Sequence, residues 1–226
     1  MMNARTWHTA SVLTNGTVIV TGGSNSYSLQ SSAELYDPST GSWTTISSMN
    51  NSRLYHTATV LANGKVLVTG GSNGSSLNSA ELYDLLTGTW IMTGNINVAR
   101  EQHTATLLTN RNVLVTGGSN GSFVLSSTEL YDPSAGLWTV ANNMNSGRYQ
   151  HVASVLTNGQ VLATGGWYNI SLDSTELYDR STGTWAMVSN MNPARYRHTG
   201  SILASGQVLI TGGWDDSTIV NSAELF

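Results

Sequence analysis

The sequence contains no cysteine. That removes disulfides, thiolate metal sites and thiol nucleophiles together, but does not fix a compartment. Charge is also scarce, at 10% of residues, well below the usual quarter. Nine basic against 13 acidic side chains give a net charge of −4, which offers no basic footprint for nucleic acid. No apolar run approaches the roughly 18 residues that a membrane-spanning helix needs. Proline is rare, at 3 residues, while glycine reaches 23. Low charge, many Gly, Ser, Thr and Asn, and no stretch of 3.6-residue periodicity predict an all-β protein with many turns. A length of 226 residues suits one domain with a real core. Five Asn-x-Ser/Thr triplets occur, at Asn15, Asn50, Asn73, Asn120 and Asn169. In so Asn-rich a chain they arise by chance, so the localisation stays unknown.

What the sequence does have is a repeat. The segment from Arg5 to Ser24, RTWHTASVLTNGTVIVTGGS, returns at Arg53, Arg100, Arg148 and Arg195, at spacings of 48, 47, 48 and 47. The second half, Ser31 to Trp43, returns at Asn78, Ser126, Asp173 and, shortened, Asn221. The repeats run over about 2–48, 49–95, 96–143, 144–190 and 191–226, in one domain spanning residues 1–226. Each predicts four short strands, A to D. In the first unit these are His8–Leu13, Val18–Thr21, Ser32–Tyr36 and Ser42–Ile46. Asn15-Gly16 supplies a tight A–B turn, and Asp37-Pro38-Ser39-Thr40-Gly41 the C–D turn.

The double glycine of VTGG, the tyrosine of ELYD and the tryptophan of TGTW together resemble the kelch repeat family, over essentially the whole chain. The resemblance implies a kelch-type β-propeller of five four-stranded antiparallel blades. Met2-Asn3 is read as filling the slot of Met49-Asn50, with Met1 in front of it. Phe226 takes the slot of Tyr36, and the twelve positions from Asp37 to Ser48 have no counterpart after it. The fifth blade is therefore expected to lack its outer strand, D. The sequence accordingly reads as an excerpt or a shortened form of a longer kelch protein. Five blades are expected in one ring, with an open arc or an oligomer through the incomplete blade as the rival.

Repetition separates scaffold from candidate function. His8, His56, His103, His151 and His198 share one slot and are all the histidines present. Five imidazoles invite a metal site, but a residue present in every blade serves the blade, so each is expected to satisfy local backbone groups. No metal and no cofactor is expected. Arg5, Arg53, Arg100, Arg148 and Arg195 recur with Glu34, Glu81, Glu129, Glu176 and Glu224, which predicts a repeated Arg–Glu ion pair. Five copies of one Glu argue against a glycosidase pair. Gly22-Gly23 ends a strand with no helix after it, so close approach of backbone within the blade explains it better than phosphate binding. No G-x-S-x-G or comparable nucleophile motif occurs, and the chain reads as not an enzyme.

The aromatics carry the functional expectation. Nine of 18 occupy scaffold slots. The other nine are Trp7, Tyr27, Tyr55, Phe123, Tyr149, Trp167, Tyr168, Tyr196 and Trp214, all in D–A or B–C connections. Antiparallel alternation places those connections on one face. Ligand-binding kelch propellers such as ubiquitin-ligase adaptors use the same two loop classes. The reading is a non-enzymatic interaction module that binds a protein or peptide on this face, through Trp7, Tyr55, Tyr149, Trp167, Tyr168, Tyr196, Arg197, Trp214 and Asp215. The runner-up is a carbohydrate-binding propeller, because aromatic rings beside Asn and Asp also suit a glycan. Rings that merely cover the ends of the blade cores are the bland alternative.

Overall fold

The computed structural model describes residues 1–226. All regular structure is β. Blade one holds β1 (Thr9–Val12), β2 (Val18–Thr21), β3 (Ala33–Asp37) and β4 (Ser42–Ile46). Blade two holds β5 (Thr57–Val60), β6 (Val66–Thr69), β7 (Ala80–Asp84) and β8 (Thr89–Met92). Blade three holds β9 (Thr104–Leu107), β10 (Val113–Thr116), β11 (Thr128–Asp132) and β12 (Leu137–Ala141). Blade four holds β13 (Val152–Val155), β14 (Val161–Thr164), β17 (Thr175–Asp179) and β18 (Thr184–Met187). Its B–C loop adds a small hairpin, β15 (Trp167–Tyr168) with β16 (Ile170–Ser171). Blade five has only β19 (Thr199–Ile202), β20 (Val208–Thr211) and β21 (Ala223–Leu225). Each blade runs A-B-C-D in space as in sequence. The fold is a five-bladed propeller whose last blade lacks strand D, as the repeat predicts.

Strand B lies in the middle of each blade, and its run of β-branched and aliphatic residues is buried on both faces: VLVT in β6 and β10 is buried at every position. Strand A is one residue shorter at each end than expected, and past its C-terminal end the Leu13 N–H donates to Thr17 O at 2.8 Å. Strand C is shifted by one residue, since Asp37 still pairs with Ser42. The C–D turn is closed by the Asp37 carboxylate, which accepts from the Ser39 N–H at 2.8 Å and its hydroxyl at 2.6 Å.

Two compact units can be distinguished, residues 1–102 with 131–138, and 103–130 with 139–226. In the first, blades one and two share a core that includes Leu13, Ile19, Met49, Val66, Val68, Tyr83 and Trp90. In the second, Leu162, Met191, Val208 and Ile210 pack between blades four and five, with Phe226 against them.

Three scaffold expectations need correction or extension. The histidines reach the neighbouring blade as well as the local backbone, which for His56 is that of Arg53 and for His198 that of Arg195. His56 Nε2 lies 3.0 Å from Thr9 Oγ1 and 3.1 Å from Thr21 Oγ1, and His151 repeats this with Thr104 and Thr116. The double glycine serves contacts between blades as well as within one. A Cβ on Gly23 would stand 2.5 Å from Thr6 O of its own blade, but one on Gly22 would stand 2.5 Å from Arg53 O of the next. Finally, Met2 occupies the slot of Asn50, not of Met49. Its N–H donates to Glu34 Oε2 at 2.6 Å as that of Asn50 donates to Glu81 Oε2 at 2.7 Å. Counting back from the arginine, Met1 then stands where Met49 does.

The Arg–Glu pair is present as expected. Arg5–Glu34, Arg148–Glu176 and Arg195–Glu224 measure 2.7 Å, and Arg53–Glu81 2.8 Å. Each guanidinium also donates to two backbone carbonyls, Gly70 O and Ser79 O for Arg53. Burial works to raise the Glu81 carboxyl, but the Asn50 donors and the Arg53 guanidinium overcome it and hold the group below the usual carboxylate range.

Candidate functional site

The D–A and B–C connections meet through one recurring contact. The residue after the arginine forms an isolated antiparallel bridge with the residue after the double glycine. The pairs are Thr6 with Ser24, Leu54 with Ser72, Tyr149 with Trp167, and Tyr196 with Trp214. The blade backbone thus builds the same two-residue platform repeatedly, and the side chains on it vary. In blades one and two it carries hydroxyl and aliphatic groups. In blades four and five both positions are aromatic.

The second unit therefore concentrates the candidate residues. Tyr149 and Trp167 exchange two backbone hydrogen bonds, of 3.3 and 2.9 Å, and their rings stand edge to face at 5.5 Å. Tyr196 and Trp214 exchange bonds of 3.0 and 2.9 Å. The Arg197 guanidinium carbon lies 5.8 Å from the centre of the Tyr196 ring. Its Nε donates to Gln150 Oε1 at 3.0 Å, which ties blade five to blade four. Burial pushes the Tyr149 hydroxyl up, opposed by the Arg197 charge. Tyr168 sits on the outward tip of the β15–β16 hairpin beside Asn169, whose φ of 63° makes the turn. Tyr168 is 48% exposed and Trp214 42%. None of these rings belongs to the core between blades four and five.

Asp215 is placed differently. Its carboxylate accepts from the N–H groups of Thr218 at 2.8 Å and Ser217 at 3.0 Å, which lowers its pKa. It shapes its own loop. The next residue, Asp216, accepts from the Ser171 N–H at 2.6 Å and hydroxyl at 2.9 Å, joining the B–C loops of blades four and five.

In the first unit Trp7 and Tyr55 come together, with ring centroids 5.1 Å apart and Trp7 half exposed. They share a feature that sequence reasoning missed. The residue before each histidine, Trp7, Tyr55, Gln102, Gln150 or Arg197, has a φ of 54 to 56°. A side chain other than glycine rarely adopts that conformation. In three of the five the N–H also reaches the preceding blade. Tyr55 N–H donates to Trp7 O at 3.3 Å, Gln102 N–H to Tyr55 O at 3.0 Å, and Arg197 N–H to Gln150 O at 3.0 Å. The signal in the sequence was a slot, third in R-x-x-H, that holds a large residue in every unit without repeating one type.

The model of the KLHDC2/KLHL20/DRC7 Kelch-repeats domain matches this chain over residues 3–214. No curated protein matches the sequence.

Proposed function

The chain belongs to the Kelch-repeat family, whose propellers are generally protein-interaction modules, and on that premise we propose that it binds a protein or peptide on the face built by the D–A and B–C loops. In the second unit the surface centres on Tyr149, Trp167, Tyr168, Tyr196, Arg197 and Trp214, with Asp215 in the same loop; in the first unit, taken by itself, the candidates are Trp7 and Tyr55. The observation that carries the reading is the aromatic platform of blades four and five. The same backbone bridge holds Thr6·Ser24 and Leu54·Ser72 in blades one and two, so the scaffold does not require rings there. Exposed Trp and Tyr beside an Arg held by a side-chain hydrogen bond form the kind of pre-ordered surface in which binding energy concentrates.

Peptides selected by display on the native chain test this. Trp167→Ser combined with Trp214→Ser should weaken them by at least about tenfold, with an unchanged melting temperature. Lys65→Ser, in an A–B turn, should leave the affinity as it was. Normal binding by the double variant overturns the assignment of the surface. Unfolding of that variant makes the rings structural, and a response on a glycan array alone makes the ligand a carbohydrate.

A further inference from the structure

Asparagine followed by glycine occurs five times, at Asn15, Asn63, Asn73, Asn120 and Asn158. The pair carries its own chemistry. The glycine nitrogen can attack the asparagine side-chain carbonyl, because no Cβ hinders the approach. Attack needs two freedoms. The side chain must swing its Cγ onto that nitrogen, and the glycine N–H must be free to give up its proton. In the A–B turns neither is free. Gly16, Gly64 and Gly159 donate N–H to the carbonyls of Leu13, Leu61 and Leu156 at 2.8 to 2.9 Å. The side-chain oxygens of Asn15, Asn63 and Asn158 each accept the N–H two residues on, at 3.0 to 3.1 Å.

The other two pairs have identical neighbours, Ser-Asn-Gly-Ser, at residues 72–75 and 119–122, but different surroundings. Asn120 Oδ1 accepts the N–H groups of Ser122 at 3.0 Å and Phe123 at 2.8 Å. Blades one and five lock the same slot in this way, through Asn25 and Asp215. The B–C loop of blade two is one residue shorter. Ser72 bridges Ser76, four residues on, whereas Ser24, Ser119 and Trp214 each bridge the fifth residue on. The shorter loop turns no pair of N–H groups onto Asn73, and no hydrogen bond holds its side chain. The Gly74 N–H reaches only Ser72 Oγ, at 3.4 Å against 3.1 Å for Gly121 and Ser119. Asn73, Gly74 and Ser75 are all exposed, and a Cβ at Gly74 would meet nothing within 4 Å.

We propose that Asn73 is a site of spontaneous covalent modification, at which the folded chain converts this one asparagine to isoaspartate and aspartate. Gly74 N bonds to Asn73 Cγ, the Cγ–Nδ2 bond breaks, and the amide nitrogen leaves as ammonia with the glycine's proton. Water then opens the five-membered imide. Cleavage at Cγ gives aspartate. Cleavage at the backbone carbonyl gives isoaspartate, with the chain now running through the side-chain carbon. Either product adds one negative charge to a chain of net charge −4. The charge stands next to Ser72, whose backbone pairs with that of Leu54 at 2.8 and 3.0 Å. The modification thus alters the loop face of the first unit without entering a blade core. At the other four sites at least two hydrogen bonds must break first, which slows attack by at least about tenfold.

Incubation of the native chain at mildly alkaline pH, followed by digestion, chromatography and mass spectrometry, tests this site by site. Asn73 should convert at least about tenfold faster than Asn120. The rate should rise with pH, because attack requires loss of the amide proton. In urea, where only the sequence neighbours act, the two should convert at similar rates. Replacing residues 72–77 by the sequence of residues 119–125 keeps Ser-Asn-Gly-Ser but gives blade two the longer loop. That graft should slow Asn73 to the rate of Asn120. Equal rates in the native chain overturn the proposal, as does a preference for Asn73 that persists in urea or in the grafted loop. If the graft fails to fold, the comparison of native chain with urea still decides.

Discussion

Blades two and five are built from the same repeat and differ in one strand. In blade two, β6 is buried at every position and β7 at all but its last. In blade five, β20 alternates between buried and partly buried, and β21 is exposed at two of three positions. The ion pair shows the same contrast. Arg53 and Glu81 are both fully buried, whereas the Glu224 side chain keeps 22% of its surface. Strand D places Met92 opposite Glu81, and nothing stands there in blade five. The ion pair keeps its length in blade five, 2.7 against 2.8 Å, but opens to solvent on the glutamate side. Stability in a propeller blade is shared laterally across the sheet, as well as face to face between blades.

The sharpest way to break this comparison is to remove the arginine from each blade. Arg53→Ala leaves a buried carboxylate without its cation and should cost about 3–5 kcal/mol in denaturant unfolding. Arg195→Ala, whose partner reaches solvent, should cost visibly less. Equal losses would mean that the carbonyl contacts, which the two arginines share, dominate over the ion pair.

A graft tests the contrast from the other side. Appending the sequence of residues 179–190 after Phe226 supplies strand D and its tryptophan. Burying one aromatic side chain should then contribute roughly 1.5–3 kcal/mol and raise the melting temperature. An unchanged or lower value would show that blade five does not accept the strand.

The histidines sharpen the comparison through pH. Burial, then the Arg53 charge, lowers the His56 pKa to about 3, and burial and Arg195 lower that of His198 to about 4. An unfolded histidine titrates near 6.5. Between the two values the unfolded chain binds the extra proton, so stability is full above pH 6.5 and falls as pH drops toward the folded value. The carboxylates, also depressed, act only below their own unfolded value of about 4.5, which leaves pH 6.5 to 4.5 to the histidines. His56→Gln should flatten the loss across that window by up to about 2–3 kcal/mol. His198→Gln should do the same across that window, since both folded values lie below it, and its own contribution stops changing about one pH unit above that of His56. Unfolding curves at four or five pH values measure this, and an unchanged slope would contradict it.

The repeat made the scaffold legible at the level of single residues. VLVT, the double glycine, Asp-x-Ser and the Tyr–Trp pair recur because each blade solves the same packing problem, so their spacing alone located the strands, the turns and the absent strand D. The candidate surface was legible only as a set of loops. That Tyr149 bridges Trp167 and Tyr196 bridges Trp214 depends on partners 18 residues apart whose contact is made by backbone rather than by any side-chain pattern. The left-handed residues before the histidines were hidden for the same reason. Their conformation goes with backbone bonds to a neighbouring blade, and no residue type marks it. Asp215 shows the limit most plainly. Its own loop turns two N–H groups onto the carboxylate, because a short loop must satisfy its backbone locally, and no motif announces that contact. The sequence by itself thus determined which residues belong to the blade, since repetition averages out everything else. Which of the remaining residues touch was decided by tertiary structure alone, because those contacts run between loops of adjacent blades and have no period.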